Sequence, residues 1–344
     1  MRSSTDGFYL LEAFNLKPPK SYQKKITFGV IDMVFFDPSL IILLQSLVPY
    51  WVWEVLNLFG DQLIYVVLLG LAFWCVNKKE GKIAIMLVMF AGIFNILAKY
   101  AFGMARPPAS LRQNPEYVTD TSNGFPSGAT QTATTFWGWI TLRVRHWGLF
   151  VISILAIALT ALARMGLGLH YLGDVLGGII IGILILVWAY FMVPYLTEFW
   201  KKMPRYLQDW LLPVIAFFLF VGFLIAYVFG VTYWPTENVA VSMGVVFGFS
   251  VGAMLETKYV NFSTNLPRRS KLLRGVIGII IALIVFYILD FTFDLLPMIP
   301  LLHFSMRFVK YLIVGFFGAF IIPLIFTYIE KRQDITGTTG QTKD

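Results

Sequence analysis

The sequence predicts an all-α fold, a polytopic membrane bundle of about nine transmembrane helices. Of its 344 residues, 58% are hydrophobic and only 13% are charged, and the mean hydropathy is +0.74. Soluble globular proteins carry about 25% charged residues. Apolar segments of roughly 20 residues, the length that crosses a bilayer, also recur along the chain. These observations exclude a soluble globular protein and predict an integral membrane protein.

Nine apolar segments account for the predicted transmembrane helices. They are residues 61–77, 83–104, 127–143, 147–166, 171–195, 208–230, 238–256, 272–292 and 307–329. Residues 37–60 are also apolar, but Gln45, Pro49 and Glu54 interrupt them. Aromatic side chains at residues 50–53 are typical of the headgroup level. We therefore predict an interfacial helix over residues 37–60, with a tenth span as the alternative.

The chain is accordingly expected to have four parts. Residues 1–60 form a polar segment followed by the interfacial helix, and residues 61–195 form a core that carries three sequence motifs. Residues 196–330 add further transmembrane helices, and residues 331–344 form a short disordered tail. Glycines recur at four-residue spacing at positions 173 and 177, and again at 244, 248 and 252. This spacing predicts close helix packing.

Basic residues in alternate loops predict the orientation of the protein. Lys and Arg cluster around residues 78–82, 143–145, 201–205, 258–274 and 331–332. Loops rich in Lys and Arg face the cytoplasm. The motif-bearing loops are therefore expected on the extracytoplasmic or lumenal side, and the C-terminus in the cytoplasm. The same bias explains the net charge of +8, so no nucleic-acid partner is predicted.

Lys99 and Arg106 form the first motif. An ionisable residue near the end of an apolar span is a candidate functional residue. The two residues are seven positions apart, which places them on nearly the same face of a continuous helix. Pro107 and Pro108 are predicted to end that helix. The alternative for Lys99 is that its side chain extends to the lipid headgroups.

Ser127 and Gly128 form the second motif and precede an apolar helix. Backbone N–H groups at a helix N-terminus, together with the helix dipole, bind anions. The alternative for Ser127 is an ordinary helix N-cap.

Arg164, His170 and Asp174 form the third motif. His170 and Asp174 are four residues apart and are predicted to share one face of a helix. A carboxylate that accepts the Nδ1 proton of histidine leaves Nε2 available as a nucleophile. Gly166 and Gly168 are expected to let the backbone turn, so that Arg164 and His170 address the same point.

In order and spacing, these three motifs resemble the signature of the type 2 phosphatidic acid phosphatase superfamily. That superfamily includes lipid phosphate phosphatases, sphingosine-phosphate phosphatases and glucose-6-phosphatase. The resemblance covers residues 60–195. It implies a metal-independent phosphoric monoester hydrolase with no cofactor, in which Lys99, Arg106, Arg164, Ser127 and Gly128 bind phosphate. It further implies that His170 forms a phosphohistidine, with Asp174 orienting the ring.

Two positions depart from the family pattern. Ala163 replaces a serine before the arginine, which is a modest change. Ala129 stands where the family has the histidine that protonates the leaving oxygen. General acid catalysis contributes roughly 10²–10⁴-fold, so this chain is expected to be an impaired phosphatase. Either Ala129 is an engineered substitution that silences an otherwise complete enzyme, or the protein is a natural pseudoenzyme. We favour the first, because the other motif residues are retained.

The predicted substrate is a lipid or isoprenoid phosphate, since the motifs lie at the membrane boundary and membrane lipids surround them. Two alternatives remain at this point. One is a phosphatase for a soluble sugar phosphate. The other is a non-catalytic binder or transporter of lipid phosphates. The sequence contains a single cysteine, Cys75, and three histidines, so neither a disulfide nor a metal site is predicted.

Overall fold

A computed structural model describes residues 35–113, 122–229, 237–296 and 300–339. In these ranges the regular elements are helices. They are α1 (Ser39–Leu47), α2 (Tyr50–Asn57), α3 (Gln62–Leu71), α4 (Lys78–Phe102), α5 (Gly128–Val144), α6 (Trp147–Gly166), α7 (Leu172–Lys202), α8 (Arg205–Val228), α9 (Glu237–Leu255), α10 (Arg268–Asp294), α11 (Pro300–Phe316) and α12 (Ile322–Thr339). Short 3₁₀ turns occupy Leu58–Gly60 and Ala109–Leu111. The predicted all-α membrane bundle is confirmed.

Eight helical stretches among the described residues are long and apolar enough to cross a membrane, against about nine predicted. The difference is α5, whose 17 residues include six polar side chains between Thr130 and Thr141. It occupies the predicted third span, residues 127–143, and packs against α4, α6 and α7. Neighbouring helices rather than lipid surround α5, and this position tolerates its polar side chains.

The predicted single helix over residues 37–60 is instead two short helices. Val48 adopts an extended conformation with φ −132° and ψ 130°. Pro49 follows it and is the N-cap of α2. Proline disfavours the helical conformation of the preceding residue, which explains the break. After α2, the 3₁₀ turn and Asp61 lead directly into α3.

The motif-bearing helix ends meet at one end of the bundle. The C-terminal ends of α4 and α6 lie there together with the N-terminal ends of α5 and α7. Two glycines of α7, Gly178 and Gly182, bring this helix close to α5. A Cβ added to Gly178 would lie 2.6 Å from the backbone oxygen of Ser127, and one added to Gly182 would lie 2.7 Å from Thr134 Cβ. The resulting contact fixes α7 against α5 where the second and third motifs begin.

The predicted close packing at Gly244, Gly248 and Gly252 is confirmed. Cβ atoms added at Gly244 and Gly248 would collide with backbone oxygens of α11, and one added at Gly252 would lie 2.8 Å from Ala319 Cβ in the π-helical turn that follows. Gly173 and Gly177 serve a different purpose from the one predicted. Aromatic rings cover them rather than a helix backbone, because Phe36 and Phe125 lie against them.

The additional helices are joined to the core at the end of the bundle opposite the motifs. Glu256, which is fully buried, accepts a 2.7 Å hydrogen bond from Lys78 Nζ at the start of α4. Within the additional helices, Arg274 of α10 donates to both carboxylate oxygens of Glu330 in α12. The predicted disordered tail does not begin at residue 331, because α12 continues to Thr339. The remaining tail residues, 340–344, and the N-terminal residues 1–34 lie outside the described ranges.

Candidate active site

His170 and Asp174 are in contact at the N-terminus of α7. His170 Nδ1 lies 3.2 Å from Asp174 Oδ2, and both side chains are buried. The same carboxylate oxygen accepts the backbone N–H of Tyr171, the N-cap residue, at 3.0 Å. Because α7 begins at Leu172, His170 precedes the helix and does not share a helical face with Asp174 as predicted. The carboxylate instead reaches back over the helix N-terminus.

Arg106 determines which nitrogen of His170 carries the proton. Its Nη1 lies 3.2 Å from His170 Nε2. A guanidinium has donors and no acceptor, so Nε2 must accept this hydrogen bond with its lone pair. The proton of a neutral imidazole is then on Nδ1, which donates to Asp174. This arrangement leaves the reactive lone pair on Nε2, directed toward the cations.

His170 is kept neutral by its surroundings. Burial and the positive charges of Arg106, Arg164 and Lys99 lower the pKa of His170 well below its ordinary value near 6.5. The unfolded chain takes up a proton on this histidine near pH 6.5, whereas the folded protein does so only at lower pH. Protonation therefore favours the unfolded state as the pH falls below about 6.5. At neutral pH the imidazole is available as a nucleophile.

Replacing Arg106 with glutamine should raise the pKa of His170, because one of the charges that disfavour the imidazolium is removed. NMR of histidine-labelled protein can measure this shift, since the chain contains only three histidines. An Arg145→Gln variant, changed at the C-cap of α5 and so at the opposite end of that helix from Ser127, is the matched control and should leave the titration unchanged. An unchanged His170 titration in Arg106→Gln would contradict the assigned contact.

Lys99 and Arg106 both reach the segment that precedes α5, but not from one helix as predicted. Helix α4 ends at Phe102, and Gly103 follows with a left-handed φ of 60°. Glycine adopts this conformation without strain, so the helix ends before the two prolines. Lys99 Nζ donates to the backbone oxygen of Asn123, and at 3.3 Å to that of Gly124.

Arg106 contacts the same segment at Ser122, the residue before Asn123. Its Nε donates to the backbone oxygen of Ser122 at 2.9 Å, and its Nη2 to Ser122 Oγ at 2.8 Å. Its Nη1 also donates to the backbone oxygen of Leu169 at 3.2 Å. Arg106 therefore connects the segment before α5 to the loop that carries His170.

Arg164 lies in the last turn of α6 and is linked to His170 through the backbone. Its carbonyl oxygen accepts the N–H groups of Leu169 at 3.0 Å and of His170 at 3.2 Å. Gly168 makes this turn with φ 73°, and a Cβ there would collide with the backbone of Leu111. The side chain of Arg164 donates from Nη1 to Asn57 Oδ1 at 3.1 Å.

Ser127 occupies the N-cap position of α5 but does not cap it with its side chain. Its Oγ instead lies 3.0 Å from Thr130 Oγ1, and both hydroxyls are buried. The Ser127 N–H donates to the backbone oxygen of Asp174 at 2.9 Å, which fixes the start of α5 to the start of α7. Gly128 lies against Asn95, whose Oδ1 would be 3.1 Å from an added Cβ.

Ala129 is half-buried and lies beside the 3₁₀ turn that follows α2. A Cβ added to Gly60 of that turn would be 3.4 Å from Ala129 Cβ and 2.9 Å from Thr160 Cγ2. The side chain at position 129 is therefore enclosed on one side by α6 and by the turn at residues 58–60.

Several polar residues of the site were not singled out from the sequence. Asn95 Nδ2 donates to Gln131 Oε1 at 2.8 Å and to the backbone oxygen of Pro126 at 3.2 Å. Gln131 in turn donates to the backbone oxygen of Ala91 at 2.9 Å. Both amides are buried. The sequence feature that could have identified Asn95 is its place as a polar residue within an apolar span, one helical turn before Lys99.

An apolar groove of about 410 Å³ lies along the first turns of α7. Phe36, Phe102 and Phe125 line one side of it, and side chains of α7 from Gly173 to Ile181 line the other. Two lining residues are chain neighbours of site residues, since Gly173 precedes Asp174 and Phe125 follows Gly124, whose backbone oxygen accepts from Lys99 Nζ. All of its lining side chains are apolar. Within the part of the chain that the structure describes, no three His, Cys, Asp or Glu side chains converge as a metal site requires.

Comparison with known proteins gives two family matches. Residues 81–198 match the model of the PAP2 superfamily. Residues 240–333 match the model described as PAP2 superfamily phosphatase, transmembrane extension. The chain is also similar to the crystal structure of the first transmembrane PAP2 type phosphatidylglycerolphosphate phosphatase from Bacillus subtilis. That likeness has 21% sequence identity and a TM-score of 0.39, and it covers 58% of this chain and 94% of that one. No curated protein matches the chain.

Proposed function

Because this chain belongs to the PAP2 superfamily of membrane phosphatases, we propose that its site accepts the phosphate of a lipid or isoprenoid phosphate. The observation that carries the proposal is the position of His170 Nε2. The lone pair of Nε2 faces Arg106 Nη1, 3.2 Å away, while Asp174 accepts a hydrogen bond from the opposite ring nitrogen, Nδ1. A neutral nucleophile beside a cluster of cations is suited to attack on a phosphate, whose charge the cations stabilise.

The proposed reaction begins when phosphate displaces the guanidinium of Arg106 from His170. Nε2 then attacks phosphorus, a P–N bond forms, and the ester P–O bond breaks with its electron pair leaving on the alcohol oxygen. Solvent protonates this oxygen. Water then attacks phosphorus, the P–N bond breaks with its electron pair returning to Nε2, and the water gives up a proton to solvent, which balances the proton taken up by the alcohol. Asp174 balances the positive charge that develops on the ring. Each step uses side chains of this chain and needs no cofactor.

Lys99, Arg106 and Arg164 are the proposed ligands of the phosphate oxygens. Ser127 and Gly128 add the N-terminus of α5, where backbone N–H groups and the helix dipole favour an anion. The hydrogen bonds that Lys99 and Arg106 make to backbone oxygens of residues 122–124 hold both side chains close to His170. The cations are thus held near His170 before the phosphate binds, and only the contact between Arg106 Nη1 and His170 Nε2 has to break.

Ala129 leaves the leaving-group oxygen without a proton donor. Thr130 does not replace it, because its hydroxyl is buried against Ser127 and against α7. We therefore propose that this chain binds its substrate and hydrolyses it slowly. The vacant position also favours a second function, a non-catalytic binder of lipid phosphates, and that function would use the same cations.

The apolar groove supports a lipid rather than a sugar phosphate as the substrate. A hydrocarbon chain can lie against this apolar lining, whereas the hydroxyl groups of a sugar would find no hydrogen-bond partner among its side chains. We propose that the groove takes the first part of the hydrocarbon chain, while the phosphate binds the cations.

The test measures binding to the chain as it stands, with Ala129 in place. A long-chain phosphatidic acid, its short-chain analogue, glucose 6-phosphate and inorganic phosphate are compared by competition for the same site. The proposal expects the long-chain lipid to bind most tightly and to be displaced by inorganic phosphate. Equal affinity for glucose 6-phosphate would favour the sugar phosphatase.

Leu176→Trp, which fills the groove, should weaken the affinity for the long-chain lipid by about tenfold. The indole ring would occupy the space of the chain, and a tenfold loss corresponds to about 1.4 kcal/mol. Affinity for inorganic phosphate should not change. Val187→Trp is the matched control, since Val187 is exposed on α7 and lies outside the groove lining. Equal effects of the two substitutions would refute the groove assignment.

We also propose that the site faces the extracytoplasmic or lumenal side and that the C-terminus is cytoplasmic. The basic loops lie at the opposite end of the bundle from His170. At that end, Lys78 starts α4, Arg205 starts α8, and Arg268 starts α10. Positively charged loops remain on the cytoplasmic side of membrane proteins.

A further inference from the structure

Helices α1 and α2 precede the region that matches the PAP2 model, yet they contact the site. We propose that this N-terminal segment, residues 39–57, completes the phosphate site and that Asn57 is a positioning residue for Arg164. The inference rests on the proposed function, because it gives Arg164 a phosphate to bind. The observations that support it differ from those behind the proposed function, because they are contacts between residues 39–57 and the C-terminal end of α6.

The central contact is the hydrogen bond from Arg164 Nη1 to Asn57 Oδ1, at 3.1 Å. Asn57 is only 8% exposed, although it lies at the end of a short helix. An arginine side chain has several rotatable bonds, and a planar guanidinium binds phosphate well only in one orientation. An amide oxygen that accepts one of its N–H groups restricts this freedom. It does so without the negative charge of a carboxylate, which would repel the phosphate.

Trp53 holds α2 against the last residue of α6. A Cβ added to Gly166 would collide with the indole ring of Trp53, so the glycine permits the contact. Trp53 is also buried, together with Leu167 and Leu169 of the following loop. These contacts fix α2, and therefore Asn57, relative to the helical turn that carries Arg164.

Gln45 of α1 supplies a second link to the same place. Its Nε2 donates to the backbone oxygen of Gly166 at 3.0 Å and to that of Leu111 at 2.8 Å. Carbonyl groups at a helix C-terminus have no partner within the helix. Gln45 satisfies one of them and ties it to the loop after Arg106. The N-terminal segment therefore joins two of the three motifs.

The segment also reaches the second motif. Asn57 is followed directly by the 3₁₀ turn Leu58–Gly60, and Gly60 lies against Ala129 and Thr160. One continuous stretch of chain thus orients Arg164 and encloses the side chain at position 129. Asn57 supplies a buried amide oxygen to the guanidinium of Arg164, and the affinity for phosphate distinguishes a positioning role from a purely structural one.

The experiment measures the affinity for inorganic phosphate in Asn57→Leu, in Arg164→Gln and in the double variant. Loss of a hydrogen bond to a charged group predicts that Asn57→Leu binds phosphate about tenfold more weakly. In the Arg164→Gln background, Asn57→Leu should have little further effect, because the two residues act as one unit. Asn57→Ala provides a second variant if leucine does not fold.

Asn77→Leu is the matched control, since Asn77 caps the opposite end of α4 and accepts one backbone hydrogen bond from Glu80. It should lower the thermal stability without changing the affinity for phosphate. If Asn57→Leu lowers only the stability while Arg164→Gln still weakens binding, Asn57 is structural and the inference is wrong. If neither variant weakens phosphate binding, both the inference and the proposed role of Arg164 are refuted.

Discussion

Ala129→His should raise the rate of phosphate release from a lipid phosphate by about 10²–10⁴-fold. That range is the usual contribution of general acid catalysis. The remaining groups of the proposed reaction are in place, because His170 is held by Asp174 and Arg106. An imidazole at position 129 could protonate the alcohol oxygen as the ester bond breaks. Phosphate release from phosphatidic acid, sphingosine phosphate, undecaprenyl pyrophosphate and glucose 6-phosphate measures both the gain and the substrate preference.

The neighbours of Ala129 determine the direction in which the imidazole of Ala129→His can point. Gly60 and Thr160 enclose one side of position 129, so the ring is directed toward the other side. Ala129→Asn is the matched control. It places a polar side chain of moderate size at the same position but cannot deliver a proton, and no comparable gain is expected. If Ala129→His binds lipid phosphate yet releases no phosphate, the binder is the better assignment.

Much of the fold could be predicted from the sequence, because the apolar segments are long and clearly bounded. The predicted fourth span coincides with α6, residues 147–166, and the predicted second span, residues 83–104, overlaps most of α4. Each loop between adjacent spans returns the chain to one side of the membrane or the other. The three motifs therefore had to lie at the same end of the bundle, and the structure brings them together.

The local geometry of the site could not be predicted, because it depends on backbone turns and on distant contacts. Gly103 ends α4 before the prolines, so Arg106 reaches His170 from a loop and not from a helical face. Asn57 and Gln45 belong to a segment that the sequence assigned to the membrane interface. Their contacts with Arg164 and Gly166 join residues 107 and 121 positions apart. Contacts between residues this far apart in the chain cannot be read from the periodicity or the motif spacing of the sequence.

Asp174→Asn, tested in the Ala129→His background, should lower the rate of phosphate release by about 10³-fold. An asparagine oxygen can still accept the N–H groups of Tyr171 and His170, so the position and tautomer of the imidazole are retained. What is lost is the negative charge beside a ring that becomes positive as the P–N bond forms. Two charges about 4 Å apart interact by about 4 kcal/mol at an effective dielectric constant of 20, and this energy corresponds to roughly 10³ in rate.

The affinity for inorganic phosphate separates this role from a structural one. Removal of a negative charge close to the anion should leave phosphate binding unchanged or make it tighter, even though turnover falls. Asp209→Asn is the matched control, because Asp209 forms only a surface ion pair with Arg205, and it should change neither quantity. If Asp174→Asn weakens phosphate binding as much as it slows turnover, the carboxylate maintains the shape of the site. It would then not stabilise the charge that develops on His170.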